Sequence, residues 1–329
     1  MRKMKSKVLV GFLSLLIATL VVWEGRAQSQ EAYPTRPVEI IVPVAAGGST
    51  DLVNRIFAPA LSKKWGVPVN VVNKPGGNYI PGILSVYNAK PDGYTVLADI
   101  NSINSMLGVA VKDLPFKIMD RTFVCVGVAL PLIVVVPANS PFKTLKELAA
   151  EAKRDPGNFM YAIIGMGTDS IGFALRQFFK EIDFDPQKGK AISTSGGSQV
   201  VIMVAGGNAM MGFSSLPAAV ASLKAGTLRG LALTSKNRDP DWPDIPTTAE
   251  AGYPNVNIMQ WNGISGPPNL PAFIVVKWEK AMEEILRDPE VIAKLKNIGM
   301  IPAYLNSKAT REYVIKETDE VSKLWGSMR

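Results

Sequence analysis

Along the chain, short apolar runs alternate with segments in which apolar residues recur at intervals of three and four. The first pair is an apolar run over 38–44, followed by apolar residues at 52, 53, 56, 57, 60 and 61. A short apolar run bounded by turn residues predicts a buried strand, and the helical interval predicts a helix. The alternation continues to two long C-terminal helices, one from Pro271 to Arg287 and one from Lys308 to Trp325. This order predicts an α/β protein with mainly parallel sheets.

Two local patterns refine this prediction in the middle of the chain. The apolar stretch 123–136 reads as two strands broken near Pro131, because proline has no amide to donate to a ladder. Thr144 and Glu147 have the spacing of a capping box, which predicts a helix from there to about Lys153.

Three predicted strand-to-helix junctions combine glycine with hydroxyl residues, at 47–51, 165–170 and 195–198. The first turn of a helix has unpaired amides and a positive dipole end, and glycine lets a ligand approach the backbone. Ligands of α/β sheets bind beyond the carboxyl ends of strands, where such turns lie. The three turns therefore predict one anion-binding cleft, although a plain strand-to-helix connection also accounts for any single turn.

The first 27 residues have the parts of a secretory signal peptide. Four basic residues lie within 1–7, a charge-free apolar segment of 15 residues covers 8–22, and small residues flank Arg26. A spanning helix needs about 20 apolar residues, so the pattern predicts export to the periplasm with cleavage after Ala27. Retention as an N-terminal anchor is the alternative. Cleavage leaves 31 Lys and Arg against 27 Asp and Glu, scattered without the pattern of a nucleic-acid-binding surface.

Composition excludes several classes of enzyme. The chain has no histidine and a single cysteine, Cys125, inside the apolar run 123–128, which predicts a buried, inert thiol. No cofactor and no metal are expected, because the chain lacks a P-loop and a Cys/His cluster and misses the dinucleotide glycine spacing at 165–170. Ser140 and Lys143 have the spacing of serine acylases; a turn is the favoured interpretation, with an exported Ser–Lys hydrolase as a remaining alternative.

Short motifs follow one another in a definite order through the mature chain. They are Tyr33-Pro34-Thr35-Arg36-Pro37, IIVPVAAGGSTD (40–51), NKPGGN (73–78), PDGYT (91–95), GTLRGLALTSKNR (226–238), PDIPTTAEAGYP (243–254), Trp261-Asn262-Gly263 and Trp325. Together they resemble the Bug, or TctC-type, receptors, which are the periplasmic substrate-binding proteins of tripartite tricarboxylate transporters.

The resemblance implies a type II periplasmic-binding-protein fold, with two α/β domains joined by two crossing strands and a ligand cleft between them. On this basis we expect one discontinuous domain from 28–130 and 235–329 and a second domain from 131–234. It also implies a protein that captures a small carboxylate and delivers it to membrane subunits of a tripartite transporter, rather than an enzyme. A ligand sensor with a signalling partner is the alternative. We expect a monomer without a nucleic-acid partner.

The resemblance also implies how the carboxylate is bound. Main-chain amides and hydroxyls of the first turn would hold it, assisted by loops of the other domain. The candidate ligand-binding residues are Ala46, Gly47, Gly48, Ser49, Thr50, Asp51, Asn73, Gly77, Asn101, Ser102, Gly167, Thr168, Asp169, Ser170, Ser195, Gly196, Gly197, Phe213 and Ser214.

The chain departs from the family pattern at two places. Family members often have a histidine after the second glycine-rich turn, where Ile171 or a neighbour stands here, and often an aspartate where Met210 stands. If that aspartate binds a ligand ammonium group, Met210 argues against an amino acid. With Met211, Phe213 and Trp261 near the site, the ligand is expected to be a dicarboxylate, a tricarboxylate or another acid with an apolar or aromatic body. A core role for these side chains is the alternative.

Overall fold

The computed structural model describes residues 33–164 and 167–327. The predicted signal peptide at 1–27 lies outside these residues. Within them, every helix is too short or too polar to cross a bilayer.

The described residues form ten named strands interleaved with helices. The strands are β1 (Val38–Val42), β2 (Val69–Asn73), β3 (Thr95–Ile100), β4 (Arg121–Pro137), β5 (Met160–Ile164), β6 (Lys190–Thr194), β7 (Met211–Ser215), β8 (Leu228–Leu233), β9 (Met259–Pro268) and β10 (Ile301–Leu305). The α-helices are α1 (Ser49–Trp65), α2 (Ile80–Tyr87), α3 (Leu107–Ala110), α4 (Leu145–Arg154), α5 (Ser170–Glu181), α6 (Gly197–Ala205), α7 (Leu216–Lys224), α8 (Ala272–Ile285), α9 (Pro289–Asn297) and α10 (Ser307–Ser327). The predicted α/β class is confirmed.

β4 belongs to two sheet ladders. Along Arg121–Pro131 it pairs antiparallel with β9, and through β9 it joins β3, β1 and β2. From Leu132 onward it pairs with β7 on one side and β8 on the other, and β7 continues to β5 and β6. The predicted break near Pro131 is therefore wrong. Pro131 lies where the strand leaves one ladder and enters the other, so a residue without an amide is accommodated inside a continuous strand.

Parallel pairing is confined to the outer strands. β1 pairs parallel with β2 and β3, and β5 pairs parallel with β6 and β7, whereas β4 and β9 pair antiparallel with their described neighbours. The prediction of mainly parallel sheets is wrong at the centre, because the two strands that connect the parallel parts run against their neighbours.

Both parallel parts are covered by helices on each face. In β1, Ile40 and Val42 pack against α1 and α8, while Ile41 faces a separate core beneath α2. Burial on both faces explains why Ile40, Ile41 and Val42 follow one another without a polar residue between them, whereas Glu39 at the start of the strand is exposed. The second half of β4 divides its side chains between two cores in the same way. Cys125 is fully buried among the first set of core residues, and burial raises the pKa of its thiol to about 12.

The capping box at the start of α4 is confirmed, with the Thr144 hydroxyl and the Glu147 carboxylate each accepting a backbone amide. Nearby, the Ser140 hydroxyl accepts the Phe142 amide at 3.2 Å, as expected for a turn. The division into domains at 130/131 and 234/235 stays a prediction.

A buried ion pair lies where β3, β4 and β9 meet. Arg121 and Asp99 have side-chain exposures of 0% and 1%, with Nη1 at 3.3 Å from the carboxylate. Arg121 also donates to the Ser265 hydroxyl at 2.9 Å and to Asn104. Asn104 in turn donates to Asp99 at 2.8 Å. This network holds the turn after β3, which carries Ser102.

Replacement Arg121→Ala is expected to lower the free energy of unfolding by about 3–5 kcal/mol, because it leaves the Asp99 charge buried without a partner. Adding Asp99→Asn should recover part of that loss. Urea unfolding followed by tryptophan fluorescence measures both.

The matched control is Arg287→Ala, which breaks an exposed pair with Glu283 and is expected to cost about 1 kcal/mol or less. Equal losses for the two arginine variants would contradict the assignment of the Arg121 network as a stabilising centre.

Candidate functional site

A cavity with about 460 Å³ of space, part of it open to solvent, lies beyond the carboxyl ends of β1, β5 and β6. The turn after β1 contributes Ala45, Gly48, Ser49 and Thr50 to its wall. Residues after β5 contribute Asp169 and Ser170, and the turn after β6 contributes 195–198. All three glycine-and-hydroxyl turns thus meet at one cavity.

Two helices begin at this cavity without a side-chain cap. The N-cap residue is Gly48 in α1 and Gly196 in α6. At neither helix start does an N-cap side chain accept a hydrogen bond from the first-turn amides. The two N-termini are close, since a Cβ added to Gly47 would lie 4.0 Å from the Ser198 Cβ. Their first-turn amides and positive dipole ends therefore converge on one region, which favours an anion.

Side chains behind the first turn hold its shape. The Asp51 carboxylate accepts the Gly47 amide at 2.9 Å, the Arg55 guanidinium at 3.0 Å and the Asn73 amide group at 2.9 Å. Asn73 also donates to the Val44 carbonyl at 3.1 Å. Burial acts to raise the pKa of Asp51, but the hydrogen bonds from Arg55, Gly47 and Asn73 outweigh it and hold the pKa below its usual range. Asp51 is therefore a structural anion with its own partners, not part of the cavity wall.

Hydroxyl groups connect the opposite walls. The Ser170 amide donates to the Ser102 hydroxyl at 3.1 Å, and the two hydroxyls are also 3.1 Å apart. The Ser49 hydroxyl donates to the Gln260 side-chain carbonyl at 3.2 Å. Ser214 lies outside the cavity wall. Its hydroxyl donates to the Gly197 carbonyl at 3.2 Å and fixes the start of α6.

Asp169 and Tyr79 are the titratable residues among those that line the described wall. Asp169 caps α5 by accepting the Gly172 amide at 2.6 Å, and its other oxygen accepts the Tyr79 hydroxyl at 3.2 Å. Burial raises the pKa of Asp169 to about 6, against the opposing effect of these bonds. Burial and the neighbouring carboxylate raise the pKa of Tyr79 well above its usual value, so the hydroxyl stays protonated. An anion in this cavity is thus bound by amides and hydroxyls, without a basic side chain in the described wall.

The sequence matches the profile described as "Tripartite tricarboxylate transporter family receptor" over residues 53–327. The chain belongs to this receptor family. A curated relative, Protein BugT of Bordetella pertussis, is 28% identical over 98% of this chain and 96% of its own length. The solved periplasmic binding protein BugD superposes with a TM-score of 0.84 at 24% identity, covering 90% of this chain and 98% of BugD. A protein of R. palustris solved with adipate gives a TM-score of 0.85 at 24% identity, again over 90% and 98% of the two chains.

The comparisons confirm the predicted membership of the Bug, or TctC-type, receptors and the periplasmic-binding-protein fold. A solved structure described as a periplasmic transporter is 28% identical, with a TM-score of 0.84 over 90% of this chain and 98% of its own, in keeping with the predicted compartment. The export signal itself falls outside the described residues.

The structure places about half of the predicted ligand-binding residues at the cavity. Those in its wall are Gly48, Ser49, Thr50, Ser102, Asp169, Ser170, Ser195, Gly196 and Gly197. Gly77 and Thr168 line an adjoining cavity instead. A role for any of these residues in ligand binding stays a prediction.

The remaining candidates lie outside the walls of these two cavities. They are Ala46, Gly47, Asp51, Asn73, Asn101, Gly167, Phe213 and Ser214. Several of them support the site from behind: Asp51 and Asn73 hold the first turn, and the Asn101 side chain donates to the Met259 carbonyl at 2.9 Å, next to Gln260. Sequence spacing identifies the right segments but does not show which side of a turn faces the ligand.

The aromatic and methionine side chains expected near the ligand are core residues. Met211 and Phe213 are fully buried and pack with the helices that cover β7. The Trp261 indole donates to Glu317 of the C-terminal helix at 3.1 Å, also away from the cavity wall. The apolar lining is aliphatic instead, from Val44, Ile100, Ile164 and Ile171.

Sequence reasoning missed Tyr79, Gln260 and Ser215 in the cavity wall. Tyr79 lies two residues after the candidate Gly77, and Gln260 is the second residue of β9, whose glycines and prolines hide the strand. Ser215 is the N-cap residue of α7, a further helix start at the cavity beside those of α1, α5 and α6. Its strand-to-helix junction contains serines but no glycine, so a search for turns that combine glycine with hydroxyl residues does not identify it.

The raised pKa of Asp169 predicts a pH dependence of stability. Since the folded state favours the protonated carboxyl, this stabilisation is complete below the unfolded pKa near 4 and is lost as pH rises through about 6. A shift of this size corresponds to about 2–3 kcal/mol. Asp169→Asn keeps an N-cap acceptor and should therefore gain stability relative to the original receptor between pH 4 and pH 7.

Urea unfolding at pH 4, 5, 6 and 7 measures the difference. Burial also raises the pKa of Glu317, and this contribution remains in both proteins and cancels. Parallel stability curves for the two proteins would show that Asp169 does not titrate in this range.

Proposed function

We propose that this receptor captures a small carboxylate in the cavity beyond β1, β5 and β6 and delivers it to the membrane subunits of a tripartite transporter. The observation that carries the proposal is the convergence of two helix N-termini, each with glycine at the N-cap and no side-chain cap, on one cavity. Unpaired amides at such positions recognise carboxylate oxygens directly.

The energetics support binding without an arginine. Each charge-assisted hydrogen bond contributes about 1.5–3 kcal/mol, and four to six of them offset an association cost of roughly 4–15 kcal/mol. A net of about −8 kcal/mol corresponds to micromolar affinity. Family membership supports a carboxylate as the ligand class, and the R. palustris protein of the same fold was solved with adipate.

In this proposal, the two domains close around the ligand, and the transporter recognises the closed conformation. The predicted domains, 28–130 with 235–329 and 131–234, contribute opposite walls of the cavity. Contacts between Ser102 and Ser170 and between Tyr79 and Asp169 cross from one wall to the other. A ligand that bridges these walls stabilises the closed arrangement, which differs in shape from the open one.

Gly48→Val is expected to weaken carboxylate binding at least 100-fold. An added Cβ at Gly48 would lie 3.4 Å from the Ala45 carbonyl oxygen and 3.7 Å from Val44, and φ is −73°, so the fold accommodates the side chain. The isopropyl group then occupies the approach to the first-turn amides of α1. Isothermal titration calorimetry with succinate, adipate and citrate measures the effect.

Gly157→Val is the matched control, because a Cβ there meets no atom within 4 Å and the residue is exposed. It should bind the same acids as the original protein. Unchanged affinity in Gly48→Val, with folding verified by circular dichroism, would refute the proposed site. Delivery is tested separately, by uptake of a bound acid into vesicles that contain the cognate membrane subunits, with and without added receptor.

A further inference from the structure

Tyr79 lines both the site cavity and a second cavity of about 750 Å³, a volume that includes space open to solvent. Both cavities are lined by Tyr79, Ile164, Asp169 and Ser195. The hydrogen bond from the Tyr79 hydroxyl to Asp169, at 3.2 Å, thus joins two residues that line both cavities. We refer to the cavity of about 460 Å³ as the inner cavity and to the other as the outer cavity.

The backbone before this boundary has an unusual conformation. Gly76, Gly77, Asn78 and Tyr79 have consecutive φ values of 96°, 51°, 51° and 69°. Positive φ costs glycine little, is tolerated by asparagine and is a genuine outlier for a bulky residue. Such strain persists only where the surroundings over-determine it, and it concentrates at ligand sites. Here the surroundings are the Asp169 carboxylate and the apolar core beneath α2, against which the Tyr79 ring packs.

The wall of the inner cavity combines polar and aliphatic groups. Its anion-binding end is formed by the starts of α1 and α6, and aliphatic side chains such as Val44, Ile100 and Ile171 also line it. The Tyr79–Asp169 pair forms part of the boundary. An acid anchored by its carboxylate at the helix starts thus shares the cavity with these aliphatic side chains and with the Tyr79–Asp169 pair.

We propose that Tyr79 limits the length of the acid that the receptor accepts. The inference rests on the proposed function, because it takes the carboxylate to be anchored at the starts of α1 and α6. In the receptor as it stands, the ligand is a short acid with an aliphatic body that ends within the inner cavity. Without the Tyr79 ring the two cavities join, and a longer chain extends into the outer cavity.

The outer cavity suits the distal end of a longer acid. Asn78, Thr168, Thr194 and Ser195 place amide and hydroxyl side chains in or beside its wall, and Gly76 and Gly77 expose backbone there. These groups can hydrogen-bond a second carboxylate, although Asp169 also lines this cavity.

The test uses Tyr79→Gly, which deletes the ring and suits a φ of 69°. Calorimetry is performed with linear monocarboxylates from butyrate to decanoate and with dicarboxylates from succinate to suberate. For the original receptor we expect affinity to fall at least tenfold beyond a limiting chain length. In Tyr79→Gly the limit should move up by two or more methylene groups, with about a fourfold gain for each newly buried methylene, while the shortest acids change less than threefold.

Two matched variants distinguish the effect of the Tyr79 ring from the effect of the loop conformation. Tyr79→Phe keeps the ring and removes the hydroxyl that bonds Asp169, so the length limit should stay in place. Asn78→Gly relieves the neighbouring positive φ of 51° without touching the ring, and it should also keep the original limit. Tyr79→Ala provides a second ring deletion if the glycine variant does not fold.

The possible results are distinguishable. A shifted limit in the ring deletions alone supports the inference. An unchanged length profile in Tyr79→Gly and Tyr79→Ala, or an equal shift in Asn78→Gly, overturns it while leaving the proposed function intact. If no acid of either series binds the original receptor or any variant, the proposed function itself fails.

Discussion

The continuous ladder of β4 is the constraint on which the arrangement of this receptor depends. Every strand must pair its backbone groups, and β4 does so with β9 over its first part and with β7 and β8 over its second. The change of partners occurs between Pro131 and Leu132. Because one strand runs through both ladders, the turns after β1, β5 and β6 are brought to the same cavity although they are far apart in sequence. The buried Arg121–Asp99 network secures β4 to β3, three residues before Ser102 in the cavity wall.

Recognition at the cavity is built from backbone rather than from charged side chains. Helix starts provide amides in fixed positions, and their dipoles add a partial positive charge that cannot be lost by titration. A basic side chain would bring a stronger charge, but a buried one carries a desolvation cost and needs a partner when the site is empty. Charged side chains have a structural role here instead. Asp51, Arg55 and Asn73 hydrogen-bond one another outside the cavity wall and stabilise the conformation of the first turn.

The sequence was most informative where the physical cause was local. The capping box at Thr144, the glycine turns, the buried Cys125 and most of the helices depend on residues within a few positions of each other, and they appear in the structure nearly as expected. It was least informative where the cause lay across the fold. β9 reads poorly as a strand, yet it forms because β3 and β4 pair with both of its edges. Phe213 was expected near the ligand as one of the side chains that would favour an apolar or aromatic acid, but in β7 it is fully buried in the core.

By itself, the sequence determined the class of the protein, the receptor family and the three segments that surround the cavity, because strand, turn and helix preferences and short motifs are local properties. Only the tertiary structure decided which face of each segment lines the cavity. It also brought together Tyr79 and Asp169, whose hydrogen bond spans a separation of 90 positions in sequence. No local rule predicts such a pair, since side-chain periodicity specifies a direction relative to one element and not the distance to another. Whether a glycine turn is only a connection or part of an anion site depends on what faces it, and in this receptor that is a second helix start.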